Sequence, residues 1–148
     1  MPQSLSAVYV HGVFSTKHRA PFLADAALRS NCQAYIAGIS RNLGCVPIIV
    51  GGVADQVHIL ASQARTVSQS DWMKEVKQAS SAWMKQREPG FSWQAGYGMF
   101  SVGQEQIDIV RNYIANQEEH HRTRTFQEEF LELLATHNLE WDERYLWN

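Results

Sequence analysis

One stretch of this chain places a phenol, an amide and an imidazole where they can act together on a phosphodiester. It is Arg111-Asn112-Tyr113-Ile114-Ala115-Asn116-Gln117-Glu118-Glu119-His120-His121, and it reads as helix. At about 100° per residue, Ile107, Val110 and Ile114 fall in one narrow stripe, while Tyr113, Gln117 and His120 group on the flank beside it. The packing face and the chemical face are therefore separate. Residues four apart on a helix are neighbours, so Tyr113 and Gln117 can offer a nucleophilic phenol and a carbonyl oxygen to one point, where a phosphate carrying a divalent cation would fit. His120, one turn further on, is a candidate general base. Most helical tyrosines are core or boundary aromatics, so the rest of the chain has to supply partners for this one.

The second chemical stretch is Gln56-Val57-His58-Ile59-Leu60-Ala61-Ser62, which alternates as a strand does. With side chains on opposite faces at period two, Gln56, His58 and Leu60 share one face, and Val57 and Ile59 the other. An amide and an imidazole are thus presented side by side. Asp55 would point to the opposite face from both.

The elements that must position these groups can be read in order. Ser6 to Phe14 is rich in β-formers and reads as a first strand, with Gly12 as a bulge or close approach. Leu28, Cys32, Tyr35, Ile36 and Ile39 recur at helical spacing from about Ala24 to Asn42, and Leu43-Gly44 supplies a stop. Cys45 to Val53 is a short apolar run consistent with a buried strand, and a turn at Val53 to Asp55 leads into the Gln56 strand. Ser68, with Asp71 three residues on, caps a helix to about Gln86 whose buried stripe is Trp72, Val76, Ala79 and Trp83. Phe91 to Val102 is a glycine-punctuated strand. A helix from Gln104 carries Tyr113, and a last short helix spans Phe126 to Ala135. The closing residues bear Trp141, Tyr145 and Trp147, aromatic anchors expected to dock on this domain or on a partner subunit.

Strand, helix, strand, strand, helix, strand is the split βαβ, ferredoxin-like order of the α+β class: an antiparallel sheet with two helices on one face, here with a C-terminal tyrosine-bearing helix added. The 148 residues form one domain, divided into a core over 1–102, the tyrosine helix over 103–121 and an acidic helix and tail over 122–148.

Composition restricts the class of function. No apolar run approaches the roughly 18 residues of a membrane span, and the N-terminus lacks a signal-peptide pattern, so a cytoplasmic protein is expected. Cys32 and Cys45 lack metal-type spacing and read as small buried thiols. The formal charge is −2, but residues 1–124 hold 12 Lys/Arg against 9 Asp/Glu, whereas residues 125–148 hold 1 against 6. A mildly basic body with an acidic tail leaves Lys17, Arg19, Lys74, Lys77, Arg122 and Arg124 as candidates for tracking a nucleic-acid backbone.

Five ordered blocks carry a resemblance over nearly the whole chain. They are Val13-Phe14-Ser15-Thr16-Lys17-His18-Arg19, then Gly51 to Leu60, then Trp93-Gln94-Ala95-Gly96-Tyr97-Gly98-Met99-Phe100-Ser101-Val102, then Tyr113 to His121, and last Glu143-Arg144-Tyr145-Leu146-Trp147. Together they resemble the single-tyrosine HUH transposases of the smallest bacterial insertion sequences and their REP-associated relatives. The resemblance implies a small homodimer that recognises single-stranded DNA hairpins at element ends. It implies Tyr113 as the nucleophile, His58 and Gln117 as metal ligands, and Mg²⁺ or Mn²⁺ as the cation. In such proteins the tyrosine helix of one subunit commonly completes the metal site of the other.

This chain departs from the pattern at one position. The family's metal motif is histidine, bulky apolar residue, histidine, and here it is Gln56-Val57-His58. An amide oxygen ligates hard cations but is a weaker donor than imidazole for transition ions such as Mn²⁺. The site is then either a working variant with Gln56 as a ligand or an eroded one. Two alternatives to a transposase follow: a hairpin DNA- or RNA-binding module that has lost the reaction, and a replication- or conjugation-type nickase. The Gln56→His variant is expected to cleave a hairpin substrate faster in the presence of metal. An unchanged or lower rate would remove position 56 from the ligand set.

Overall fold

The computed structural model describes residues 2–148. Its sheet is built from β1 (Tyr9–Ser15), β2 (Val46–Val53), β3 (Gln56–Ser62) and β4 (Gly98–Val102) in the order β2-β3-β1-β4, every neighbouring pair antiparallel. Two helices, α1 (Ala26–Asn42) and α2 (Gln69–Lys85), link β1 to β2 and β3 to β4. This is the ferredoxin-like arrangement expected from the alternation of strand and helix patterns. The Ser68 cap is as read, its Oγ accepting from the Asp71 N–H at 3.1 Å, and an Asp25 carboxylate oxygen accepts from the Leu28 N–H at 2.9 Å to start α1.

Period-two alternation divides the sheet into two buried faces. On the first, Val10, Phe14, Val57, Ile59 and Ala61 pack with Cys32 and Ile36 of α1 and Trp72 and Val76 of α2. The Trp72 indole finds its partner in Ser40 Oγ at 3.0 Å, so the largest side chain of that core leaves no N–H unpaired. Cys32 and Cys45 are free and buried.

The second face carries His11 and Val13 of β1, Gln56, His58 and Leu60 of β3, and Phe100 and Val102 of β4. It is covered by α3 (Ile107–Ala115), α4 (Gln117–His120) and α5 (Phe126–Thr136) of the same chain. Ile114 packs there with Leu60 and Val102, while Phe126, Phe130 and Leu134 pack with Val13 and Phe100. The helices appended after the ferredoxin-like core thus close its open side.

Two elements differ from the sequence reading. The strand expected from Phe91 begins only at Gly98; upstream, Trp93 makes an isolated bridge to Thr16 and stacks edge-on against Phe14, with ring centroids 4.8 Å apart. The tyrosine helix is broken at Asn116, whose φ of −103° and ψ of 24° separate α3 from α4. Asparagine is a poor interior helix former and tolerates that geometry, and the i to i−4 bonds resume with His120 N–H to Asn116 O at 3.1 Å. The C-terminal segment, with α6 (Glu143–Leu146), docks on its own domain, one of the two expectations for its aromatic anchors. The Asn148 carbonyl accepts from Ala95 N–H at 2.9 Å, and the Trp147 ring lies 6.1 Å from that of Phe130. Tyr145 and Trp141 stay exposed.

Two glycines let the covering helices approach the sheet. A Cβ on Gly51, which pairs with His58, would sit 2.8 Å from Ile114 Cγ2 and 3.0 Å from the Ile114 carbonyl oxygen of α3. A Cβ on Gly98 would sit 2.7 Å from the Phe130 ring of α5. Because the obstacle at Gly51 includes backbone, Gly51→Ala has to push the tyrosine helix outward. We expect it to lower stability by about 1–3 kcal/mol in urea unfolding. Gly38→Ala, in α1 with nothing within 4 Å of the new methyl, is the contrasting control, with a gain of about 0.5–1 kcal/mol from helix propensity.

Candidate active site

The sheet face under α3 to α5 brings the sequence-predicted residues together within one chain. The Tyr113 ring centroid lies 6.1 Å from that of His58, 6.2 Å from His11 and 4.7 Å from His120. Gln56, His58 and Gln117 are all buried, and Tyr113 is half-buried. His58 Nε2 is 3.1 Å from Gln56 Oε1, as expected of two residues on one strand face. The kink at Asn116 does not separate Tyr113 from Gln117, since both reach the same carboxylate.

That carboxylate is Glu129 of α5, only 2% exposed. The Tyr113 hydroxyl donates to Glu129 Oε2, and Gln117 Nε2 donates to the same oxygen at 3.0 Å. Its other oxygen, Oε1, lies 3.2 Å from His58 Nε2 and 3.2 Å from His121 Nε2. Burial opposes charge on Glu129, but the hydrogen bonds from His121, His58 and Tyr113 outweigh it and hold the carboxyl well below the usual carboxylate range. The same contact acts in reverse on the phenol. Burial, then the Glu129 hydrogen bond and charge, push the Tyr113 phenol well above its ordinary value.

His11 is the other residue that the sequence reading left out of the site. On β1 it sits diagonally across from His58, whose direct partner is Val13, and its Nε2 lies 2.8 Å from His58 Nδ1. Burial first, and then the neighbouring His58, lower the His11 pKa to about 3, so this ring is neutral. His58 Nε2 faces two acceptors, Gln56 Oε1 and Glu129 Oε1, and therefore carries a proton in this arrangement. His11 faces the other nitrogen and fixes the ring orientation; a cation on Nε2 would require the His58 proton on Nδ1, donated to His11 Nε2, as metal-binding imidazoles commonly donate their second N–H.

One atom of the site lacks any partner: Gln117 Oε1 is buried and makes no hydrogen bond. An amide oxygen so placed costs about 1–3 kcal/mol, and a hard divalent cation is the kind of partner that would relieve it. Among the described residues, no group of three or more His, Cys, Asp or Glu side chains is arranged to hold a metal ion. The oxygens of Gln56 and Gln117, the Nε2 of His58 and the Glu129 carboxylate nevertheless form a donor set whose chemistry suits Mg²⁺ or Mn²⁺.

The predicted basic residues divide. Arg19, Arg122 and Arg124 line one groove together with Arg29, His121 and Phe126, so three of the six meet beside the site, His121 belonging to both. Arg124 is paired with Glu132, Arg122 with Glu119 at 3.5 Å, and Arg29 with Glu118 at 2.9 Å. Lys17 is exposed near the docked C-terminus. Lys74 and Lys77 lie on α2, across the sheet from Tyr113. Lys77 Nζ donates to the Gln94 carbonyl at 3.0 Å and stands 5.2 Å from the centre of the Phe14 ring, contacts that hold the loop before β4.

Glu129 had a faint signal in the sequence. On α5 it falls between Phe126 and Leu133 at helical spacing, an acid at the border of an apolar stripe. Its i+3 relation to Phe126 made burial foreseeable, but not its partners.

The family model described as "Transposase IS200 like" matches residues 4–117. Among solved structures, a transposase from Deinococcus radiodurans R1 is 22% identical with a TM-score of 0.64, covering 79% of this chain and 95% of that one. A REP-associated tyrosine transposase bound to a REP hairpin is 12% identical with a TM-score of 0.58, covering 82% of this chain and 74% of that one. At these identities the structural likeness speaks to fold alone. No curated protein matches the sequence. The residues matched by the family model include β1, β3 and α3 with Tyr113 and reach Gln117, and the chain belongs to the IS200-like transposase family.

Proposed function

We propose that this chain cleaves and rejoins single-stranded DNA at hairpin-bearing element ends, with Tyr113 as the nucleophile. The observation that carries the reading is the convergence of Tyr113, Gln117, His58 and Gln56 on one buried point within a single chain. The Tyr113 oxygen attacks phosphorus, the bond from phosphorus to the 3′ oxygen breaks, and a 5′-phosphotyrosine and a 3′-hydroxyl result. The phenolic proton leaves the nucleophile and a proton ends on the departing oxygen. Reversal of the same step onto another 3′-hydroxyl rejoins DNA without ATP, because the phosphodiester energy is kept in the covalent link.

The chain's own residues prepare that step. Gln56, His58 and Gln117 would hold Mg²⁺ or Mn²⁺, with His11 orienting the His58 ring. When bound, the cation would supply Lewis-acid polarisation of a non-bridging phosphate oxygen. The groove of Arg19, Arg29, Arg122 and Arg124 offers a path for a phosphate backbone toward His121. His120, its ring centred 4.7 Å from that of Tyr113, is placed to receive a proton when the phenol leaves Glu129. The hairpin class is supported by the REP hairpin held by a protein of similar fold. Every ligand comes from one chain, so the site is read as working in cis. Bringing two element ends together needs two such sites, which is the physical case for a homodimer.

A second reading is favoured by the engagement of the phenol with Glu129 and its raised pKa: a hairpin DNA- or RNA-binding protein of the same fold that no longer cleaves. A 5′-labelled and a 3′-labelled hairpin oligonucleotide incubated with Mg²⁺ or Mn²⁺ and run on a denaturing gel separate the two. We expect a covalent adduct on the strand with the 5′-phosphate, abolished by chelation and by Tyr113→Phe, while the variant's hairpin affinity stays within about threefold, since only the nucleophile is removed. Tight binding by the native protein without any adduct would establish the second reading. An adduct that survives Tyr113→Phe would place the nucleophile elsewhere.

A further inference from the structure

We propose that Glu129 is the anionic ligand of the cation site, supplying from the C-terminal helix the charge that the neutral Gln56 does not. The inference rests on the reading above that Gln56, His58 and Gln117 take a divalent cation. It adds a residue from outside the stretch covered by the family match, which ends at residue 117.

Three observations on the geometry support it. First, the side chains are already spaced as neighbours in one coordination sphere would be, the Gln117 contact being made by the nitrogen of the amide that would have to turn. Glu129 Oε2 lies 3.0 Å from the Gln117 amide nitrogen, Glu129 Oε1 lies 3.2 Å from His58 Nε2, and Gln56 Oε1 lies 3.1 Å from that nitrogen. Adjacent ligands of an octahedral ion with bonds of 2.0–2.1 Å are about 3 Å apart. Second, the carboxylate is buried without a lysine or arginine: its partners are Tyr113, Gln117, His58 and His121, none with a permanent charge. A buried anion of that kind calls for a cation or for a rearrangement of protons. Third, Gln117 Oε1, on the same amide that touches Glu129, is buried with no partner. Rotating that amide by half a turn would put its oxygen where its N–H now meets the carboxylate, an arrangement that repels without a cation and ligates with one.

The donor set also changes the chemistry expected of the site. Two amides and an imidazole are all neutral, and hard cations bind weakly without a carboxylate. With Glu129 the set becomes one carboxylate, two amide oxygens and one imidazole, which suits Mg²⁺ and Mn²⁺ and disfavours soft ions. A general-base role for Glu129 fits less well. The carboxylate already accepts from four donors, so it has little room to take and keep a phenolic proton.

The test is Mn²⁺ binding by the full chain without DNA, followed by calorimetry and by the loss of the free-ion electron paramagnetic resonance signal. One ion should bind the native chain. Glu129→Gln, which keeps the shape and removes the charge, should weaken binding by at least about tenfold and erase the rise in melting temperature that Mn²⁺ gives the native protein. Glu129→Asp should fall between the two, and Tyr113→Phe should bind Mn²⁺ as the native chain does or slightly better. Unchanged or tighter Mn²⁺ binding by Glu129→Gln, with binding still lost in His58→Ala, would overturn the Glu129 assignment and leave the cation site intact. It would also make the carboxylate a plug on the tyrosine. Absence of Mn²⁺ binding by the native chain would overturn the cation reading itself and this proposal with it. If Glu129→Gln fails to fold, Glu129→Asp decides the assignment by the same two readouts.

Discussion

A single buried carboxylate ties the added helices to the chemistry of the sheet. Glu129 is reached by Tyr113 and Gln117 from one helical segment and by His58 from the central strand β3. An ionised side chain in such a place is tolerated only when its lone pairs are occupied. Four donors do so here, and the consequence runs in both directions: the carboxyl stays ionised, and the phenol it accepts from is held protonated. The position of α5 is therefore coupled to the state of the tyrosine. A movement of this helix by an ångström or two would break several charge-assisted hydrogen bonds at once.

The sheet supplies the rigid half of this arrangement. Antiparallel register places Val13 directly against His58 and Leu60 against His11, which leaves the two imidazoles diagonal to each other and within hydrogen-bond distance. A one-residue slip of β3 would send His58, with Gln56, to the apolar face of Phe14 and Trp72. The hydrophobic pattern on the α1 and α2 face thus fixes the register of the polar face as well. Gly51 and Gly98 complete the construction by lacking the side chains that would hold α3 and α5 away.

The electrostatics of the site and of its approach are matched. Outside, Arg19, Arg29, Arg122 and Arg124 border a groove in which Asp55 and Glu118 reduce the net charge. Several of these arginines are already engaged with acidic neighbours, so a phosphate backbone would have to exchange for Glu118, Glu119 or Glu132. Such exposed pairs hold by about 0–1 kcal/mol each and exchange readily. Inside, the donors are hard oxygens and one imidazole around a buried anion. Under the proposed function a cation would offset the buried carboxylate and the charge of an incoming phosphate.

Much of this was readable from the residues alone. Alternation in Gln56 to Ser62 put Gln56 and His58 on one face, and helical spacing put Tyr113 and Gln117 on one flank; both hold because each is a local geometric property of four to seven residues. The strand and helix order gave the ferredoxin-like sheet for the same reason, and five motif blocks pointed to the family. Tertiary structure alone decided the rest. His11 and His58 are 47 positions apart and meet only through strand register. Glu129 looked like one more charge in an acidic tail, because nothing in its own helix says that α5 lies across the second face of the sheet. The break at Asn116 and the glycine contacts under α3 and α5 likewise depend on what is packed opposite. Local periodicity specifies which way a side chain points, and only the packing of distant faces specifies what it meets there.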